Sequence, residues 1–199
     1  MLRTILFLSG FMLALSLAAQ HNDYLDRIKS FQEAYVKNHD VVTGSDRQYL
    51  HFFPPDEQYH VTARFERIFE APWFKMPTSG SSFQVHRVYG IVYFTLHDTS
   101  LALHVYQSQD LLQLKDYSDY LFIPFTDKTS GTDSYENGRY LDFRIGDIVN
   151  DSMLVIDFNK AYNPYCAYAS GQYSCPIPPR ENDLPVAVRS GEMKYGKGH

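Results

Sequence analysis

Short runs of alternating apolar and polar residues begin near residue 49 and continue almost to the end of the chain, and they constrain the fold more than any other feature. A side-chain period of two is typical of strands that bury one face, and runs separated by a few turn residues favour antiparallel neighbours. The pattern therefore predicts a mainly β fold, an antiparallel sandwich or barrel-like sheet. The candidate strands are residues 49–53, 58–65, 82–88, 91–97, 101–106, 120–125, 139–144, 153–158 and 185–189.

The central runs allow a test of register. We place two-residue turns at 89–90 and 98–99, as in tight hairpins. One face of the three strands then carries eight apolar residues among nine, which assigns that face to the core. Its rows are Phe83, Leu96 and Leu101; Val85, Phe94 and Leu103; and Arg87, Val92 and Val105.

One amphipathic helix is predicted before the strands, over residues 23–37. Asn22 or Asp23 can cap it, and its apolar residues recur at helical spacing, so they share a face that packs on the sheet. The residues of this face are Tyr24, Ile28, Phe31 and Tyr35.

The first 19 residues are typical of a secretory signal peptide. Arg3 supplies a positive start, an apolar run follows over residues 5–17, and the small residues Ala18 and Ala19 offer cleavage positions. The alternative is a single membrane anchor, but the run is shorter than the ~20 residues that a span needs. We therefore expect an exported protein, periplasmic or extracellular, with no stable membrane span after cleavage. Residues 20–199 are expected to form a single β-rich domain, with a β-core over about 49–192 and a short tail over 193–199.

Composition and motifs exclude several classes of partner and enzyme. The chain has 199 residues and a formal net charge of −5, and its lysines and arginines form no cluster. A nucleic-acid-binding surface needs a basic patch, so no nucleic-acid partner is expected. The sequence lacks the motifs of serine hydrolases, zinc proteases, P-loop enzymes and dinucleotide-binding folds. No metal and no cofactor is predicted.

Cys166 and Cys175 are the two cysteines of the chain. In an oxidising compartment their spacing favours a local disulfide that closes a short loop. A metal-binding pair is one alternative, although zinc takes four ligands and no histidine of this region precedes His199. Two free thiols are the other alternative.

Two polar loops are where a site is expected. The first, residues 126–138, carries Asp127, and Arg139 follows it directly. Its acidic residues suit calcium, but their spacing is not that of an EF-hand, and a hairpin loop tied by Asx-turns is the alternative. Arg139 can bind a ligand carboxylate or phosphate, or it can pair with Asp127 or Asp157 and hold the loop.

The second loop, residues 159–184, contains both cysteines, four prolines and four tyrosines and shows little periodicity. A segment of this length without regular secondary structure usually carries function or is fixed to the rest of the domain by specific contacts. Its rings and amides suit a sugar or another small polar ligand. Carboxylate chemistry also stays open, with an acid/base pair drawn from Asp142, Asp157, Glu181 and Glu192.

Five strings in and beside these loops carry a family resemblance: FPPD at residues 53–56, YLFIPFTDKTSGTDSYENGRYLD at 120–142, DFNKAYNPYCAYAS at 157–170, CPIPPRENDL at 175–184 and GE at 191–192. Through them the chain resembles an uncharacterised bacterial and archaeal family, domain of unknown function 1684. The resemblance covers most of the chain after residue 19. It implies that both loops and the strand entry at Arg139 are family features, and it implies no activity. We expect the two loops to converge on one end of the β-structure.

Three functions are compatible with these features. The first is an exported module that binds a small polar ligand such as a glycan fragment. The second is a hydrolase that acts on a similar ligand through a carboxylate pair, with Asp157 and Glu181 as the catalytic candidates. The third is structural, with these residues forming a buried polar network that locks the loops. The predicted ligand-binding residues are Asp127, Arg139, Asp157, Asn159, Tyr162, Asn163, Glu181 and Asn182.

Overall fold

In the computed structural model, residues 2–169 and 171–197 are described, with side chains from residue 20 onward. Seven strands form one antiparallel sheet that curves into a half-barrel, which confirms the predicted fold class. The strands are β1 (His60–Arg67), β2 (Phe74–Pro77), β3 (Phe83–Leu96), β4 (Thr99–Ser108), β5 (Tyr120–Phe125), β6 (Arg139–Arg144) and β7 (Met153–Asp157). Their order is β6-β5-β4-β3-β1-β7, and β2 pairs with β3 outside this path.

The helix α1 (Leu2–Asn38) precedes the sheet and contains the predicted helix over residues 23–37. Tyr24 and Ile28, from its predicted apolar face, are buried. A second, short helix, α2 (Gln109–Leu112), follows β4. The predicted signal peptide, residues 1–19, lies outside the residues whose side chains are described. Within the described part of the chain, no helix is long and apolar enough to cross a membrane.

Strand β5 is buried on both faces. Leu121 and Ile123 belong to the main hydrophobic core, which fills one side of the sheet. Phe122 packs with Tyr106 and Tyr140 in a second cluster on the opposite side. Because successive side chains of a strand point to opposite faces, this double burial explains the unbroken apolar run of β5.

The predicted turn at 89–90 is wrong, because β3 runs straight through it as one long strand. A register irregularity between Val88 and Gly90 leaves Tyr89 without a partner on β4. A Cβ at Gly90 would overlap the Phe65 ring and lie 2.7 Å from the Glu66 carbonyl oxygen of β1, so only glycine fits there. The irregularity shifts the phase of the first half of β3, so the predicted core residue Phe83 is exposed.

The β3–β4 turn also lies one residue earlier than predicted. Its central residues are His97 and Asp98, both with positive φ, as a type I′ hairpin turn requires. Leu96 therefore pairs with Thr99, and Phe94 pairs with Leu101. Each pairing is displaced by two residues, and a shift of two keeps every side chain on its predicted face.

Two predicted strands are absent from the described sheet. In the segment 49–53, Phe52 forms a single antiparallel bridge with Glu192. The segment 185–189 lies along the first polar loop, where the Lys128 amide donates to the Val186 carbonyl. Both segments make isolated contacts with loops, although their alternation resembles that of a strand. The sequence reasoning also missed β2, because prolines flank and end this short strand.

Candidate functional site

A cleft of about 990 Å³ lies where the half-barrel does not close. The outer strands β6 and β7 are at opposite ends of the sheet order. The second loop closes part of this gap through a bridge between Tyr140 and Tyr162, and α1 covers one flank. The lining includes Phe31, Tyr35, Asp142, Phe143, Val155, Asp157, Tyr162 and Tyr165.

Asp142 of β6 is an acidic group of the cleft whose carboxylate two hydrogen bonds hold in a defined orientation. The hydroxyls of Tyr120 and Tyr162 both donate to its Oδ1, each at 2.7 Å. Among the described residues, none donates to its Oδ2. Removal of the carboxyl from bulk water raises the pKa of Asp142, and the two tyrosine hydrogen bonds oppose that rise. One carboxylate oxygen is thus held in place while the other stays free for a ligand.

Asp157, at the end of β7, lines the same cleft and also fastens α1 to the sheet. Its Oδ1 accepts hydrogen bonds from the Tyr24 hydroxyl and from the Asn159 backbone and side-chain amides, all at 3.1 Å. Its Oδ2 lies 3.8 Å from the Lys160 ammonium. Asn159 is fully buried and bonds both the amide and the carbonyl of Asp56.

Arg139 is fully buried, and its charge partner is Asp127. The guanidinium Nη2 lies 2.8 Å from the Asp127 carboxylate and 2.8 Å from the Val188 carbonyl, while Nη1 donates to the Ser190 and Glu192 carbonyls. Burial lowers the pKa of Arg139, and the Asp127 carboxylate opposes that change. Of the partners considered from the sequence, the structure selects Asp127. The pair holds the last strand-like segment against the first polar loop.

Glu192 is a second fully buried ionisable group, next to this pair. Its carboxylate accepts hydrogen bonds from the Tyr168 hydroxyl at 2.7 Å, the Asn163 amide at 2.8 Å and the Tyr35 hydroxyl at 3.3 Å. Burial raises its pKa to about 7. Asn163 also donates its side-chain amide to the Met193 carbonyl, at 2.8 Å. This junction joins α1, the second loop and the C-terminal segment behind the cleft.

Asn182 and Glu181 are neighbours with different surroundings. Asn182 is fully buried, and its side chain bonds both backbone groups of His104 and the Pro124 carbonyl. It thereby acts as a clamp between β4 and β5. Glu181 is exposed and lies outside the lining of the cleft that contains Asp157, so the cleft does not combine these two carboxylates.

Apart from Glu181, which is exposed outside the cleft lining, the predicted site residues fall into two groups. Asp157 and Tyr162 line the cleft. Five others are buried and bonded to protein groups, namely Asp127, Arg139, Asn159, Asn163 and Asn182. The sequence reasoning left Asp142 out of the ligand-binding set. Its signal was a carboxylate between hydrophobic residues of a predicted strand, YLDF at residues 140–143.

The predicted disulfide between Cys166 and Cys175 is present, with the two Cα atoms 6.2 Å apart. Cys175 lines the cleft, so the bridge fixes part of the second loop at its wall. The metal-binding alternative for this pair is wrong, because both sulfur atoms are used in the bond. Elsewhere in the described residues, no group of three or more His, Cys, Asp or Glu side chains could hold a metal ion.

A family model and a solved structure are similar to this chain. A family model described as "Protein of unknown function (DUF1684)" matches residues 46–193. The solution NMR structure of an uncharacterized protein from Haloarcula marismortui is similar, with a TM-score of 0.65 and 27% identity. The match covers 88% of this chain and 96% of that one. No curated protein matches. The sheet, the two loops and the cysteine-containing strings all fall within the matched span, and the chain belongs to the DUF1684 family.

Proposed function

We propose that this protein is an exported binding protein for a small polar ligand, such as a glycan fragment, which it holds in the cleft between β6 and β7. The observation that carries the proposal is the free oxygen of Asp142 in a cleft walled by aromatic rings. Ligand sites commonly combine a concave aromatic lining with a few oriented polar groups. A carboxylate oxygen accepts hydrogen bonds from hydroxyl groups, and ring faces pack against the apolar faces of sugars.

Many rings of the cleft contact one another, and two of these pairs bear on the proposal. The ring centres of Tyr35 and Tyr162 are 6.3 Å apart, and those of Tyr165 and Tyr173 are 5.2 Å apart. Tyr165 and Tyr173 are also exposed, which makes their ring faces accessible to a ligand. The first pair belongs to the deeper wall beside Asp142.

In this proposal the buried residues of the predicted site do not contact the ligand. They hold the two polar loops in place around the cleft. Asp127 and Arg139 hold the first loop, while Asn163 and Asn182 hold the second. Besides the ion pair between Arg139 and Asp127, most of their hydrogen bonds go to backbone groups, and such contacts keep long segments in one conformation. The buried polar network and the ligand site are therefore parts of one arrangement.

Export is the other part of the proposal. It is supported by the sequence of residues 1–19 and by the disulfide between Cys166 and Cys175. Disulfides persist mainly in oxidising compartments, where exported proteins reside.

The binding function is tested by measuring thermal stability with a panel of neutral, acidic and amino oligosaccharides. A true ligand raises Tm with increasing concentration, because it binds only the folded state. We expect Tyr165→Ala to weaken the binding of that ligand about threefold to tenfold, since stacked rings contribute about 0.5–1.5 kcal/mol. Phe69→Ala is the matched control, because Phe69 is an exposed ring outside the cleft lining. Equal effects of both variants, or no ligand-induced shift with any oligosaccharide, would contradict the proposal.

A carboxylate-dependent hydrolase is the second candidate, because Asp142 and Asp157 line the same cleft. Burial raises the pKa of Asp142, and a raised pKa is what a general acid requires. In this alternative Asp157 takes the second role, and Glu181 of the originally predicted pair takes none. Release of reducing ends from a bound oligosaccharide would favour the hydrolase. Asp142→Asn should then abolish turnover while it leaves binding measurable.

A further inference from the structure

The charged groups of the cleft are mostly acidic. Its lining contains four carboxylates, one ammonium and two histidines, His39 and His60, and no arginine is among the described lining residues. The carboxylates belong to Asp40, Asp142, Asp147 and Asp157, and the ammonium belongs to Lys160. A ligand with a phosphate or carboxylate would face like charges on several sides, which strongly disfavours it.

Asp157 and Lys160 show how the cleft already holds a cation. The Lys160 ammonium lies 3.8 Å from the Asp157 carboxylate and 5.9 Å from the centre of the Phe31 ring. A carboxylate and a ring face therefore flank the same ammonium. Both groups attract a positive charge, the ring through the negative potential of its face.

Asp142 has the same kind of neighbours but no cation. Tyr162 holds its Oδ1, and the Tyr162 ring contacts the Tyr35 ring. No described lysine, arginine or histidine forms an ion pair with Asp142. The charge of Arg144 lowers the pKa of Asp142, but the Arg144 guanidinium is bonded to Asp119. The other two acidic groups differ, since Asp40 accepts from the Tyr165 hydroxyl and Asp147 from the Arg144 amide.

We infer that the ligand of this cleft carries a protonated amine, as an amino sugar does, and that the amine binds Asp142 beside the rings of Tyr35 and Tyr162. This inference rests on the proposed binding function and narrows its ligand class. The amine would donate to Oδ2, the carboxylate oxygen for which the described residues supply no donor. Its charge would balance a carboxylate that forms no ion pair with any described residue.

The test compares two oligosaccharides with the same sugar backbone: a chitosan tetramer with free amines and the fully N-acetylated chitin tetramer, whose acetamido groups are neutral. Binding is measured by isothermal titration calorimetry at pH 6.0, where a large share of the sugar amines is protonated. We expect the chitosan tetramer to bind at least about tenfold more tightly, the typical gain from one charge-assisted hydrogen bond. Added salt should weaken the binding of the chitosan tetramer and leave the binding of the neutral tetramer nearly unchanged.

Asp142→Asn locates the amine, because it removes the charge and keeps the size of the side chain. We expect this variant to lose the preference for the chitosan tetramer. Asp151→Asn is the matched control: Asp151 is exposed, lies outside the cleft lining, and has a positive φ that asparagine also adopts readily. This control removes one negative charge from the protein and should keep the preference.

The possible failures are distinguishable. Equal or tighter binding of the chitin tetramer would overturn the amine inference and leave the proposed binding function intact. The absence of binding by either tetramer would count against both. A preference that survives in Asp142→Asn would overturn the placement of the amine at Asp142. If that variant does not fold, the salt dependence of binding of the two tetramers to the unaltered protein still decides whether the amine charge contributes to binding.

Discussion

At the scale of single residues, the most polar side chains of the loops bond the protein's own backbone. Arg139 illustrates this most fully, because its guanidinium meets one carboxylate and three backbone carbonyls with no exposure to solvent. From the sequence, such a residue cannot be distinguished from one that binds a ligand anion. Both roles place an arginine beside a polar loop, and only burial separates them.

We expect Arg139→Ala to reduce the free energy of unfolding by about 3–5 kcal/mol, because it leaves the Asp127 carboxylate buried and unpaired. Urea denaturation measures the loss. Arg189→Ala is the control, since Arg189 forms an exposed ion pair with Asp133 and should change stability by less than about 1 kcal/mol. An Arg139→Ala protein as stable as this control would show that the pair does not hold the loops.

Glu192 should make stability depend on pH. Burial raises its pKa from 4.5 to about 7, so between these values the folded protein binds more protons than the unfolded chain. The free energy of unfolding should therefore fall as pH rises through this window, by on the order of 3 kcal/mol. Denaturation of Glu192→Gln across pH 4.5–7 should lack this decrease, whereas Glu136→Gln, at an exposed ion pair, should retain it. Parallel curves for all three proteins would refute the prediction.

At the scale of elements, the local sequence pattern predicted the bounds of β5 and β6 correctly, but it did not predict that β3 is one long strand. The predicted bounds of β5 and β6 match the structure, because turn residues flank both runs. In β3, the pair Tyr89-Gly90 resembles a turn in the sequence. Its actual role is set by Phe65 and Glu66 of β1, which approach so closely that no side chain fits at residue 90. That approach is a long-range contact, and no local pattern reports it.

Gly90→Ala should therefore destabilise the sheet by about 1–3 kcal/mol, because the added methyl group must displace the Phe65 ring or the β1 backbone. Thermal denaturation followed by circular dichroism measures the change. Gly146→Ala is the matched control, since a Cβ at residue 146 would meet nothing within 4 Å. Equal melting temperatures for the two variants would show that β1 does not approach Gly90 this closely.

At the scale of the whole molecule, the cleft exists because the outer strands β6 and β7 do not pair. Its walls come from α1, both outer strands and the second loop, which are widely separated in the sequence. Asp142 and Asp157 lie on different strands at opposite ends of the sheet order, and they share the cleft only because the sheet curves. Both carboxylates can be identified as candidates from the sequence. Their position in one cleft depends on the curvature of the sheet, which the sequence pattern does not report.

The proposed export is also tested at this scale, because it concerns the whole chain. Expression of the full chain in a secreting bacterial host should yield a mature protein that lacks residues 1–18 or 1–19. Intact-mass measurement identifies the new N-terminus, and reduction should add about 2 Da if Cys166 and Cys175 form the disulfide. A product that retains residues 1–19, or one whose mass does not change on reduction, would contradict this prediction.

The sequence by itself determined the features that depend on neighbours within a few residues: the amphipathic helix, the period-two strands, the local disulfide and the strings that mark the family. Only the tertiary structure decided which polar residues are enclosed and which face the cleft. Burial depends on how elements that are distant in the sequence pack together. For this reason Arg139 is enclosed and bonded to protein groups, whereas one carboxylate oxygen of Asp142 has no donor among the described residues. Alternation along a strand assigns a side chain to a face, but curvature of the sheet decides whether that face is core, solvent or site.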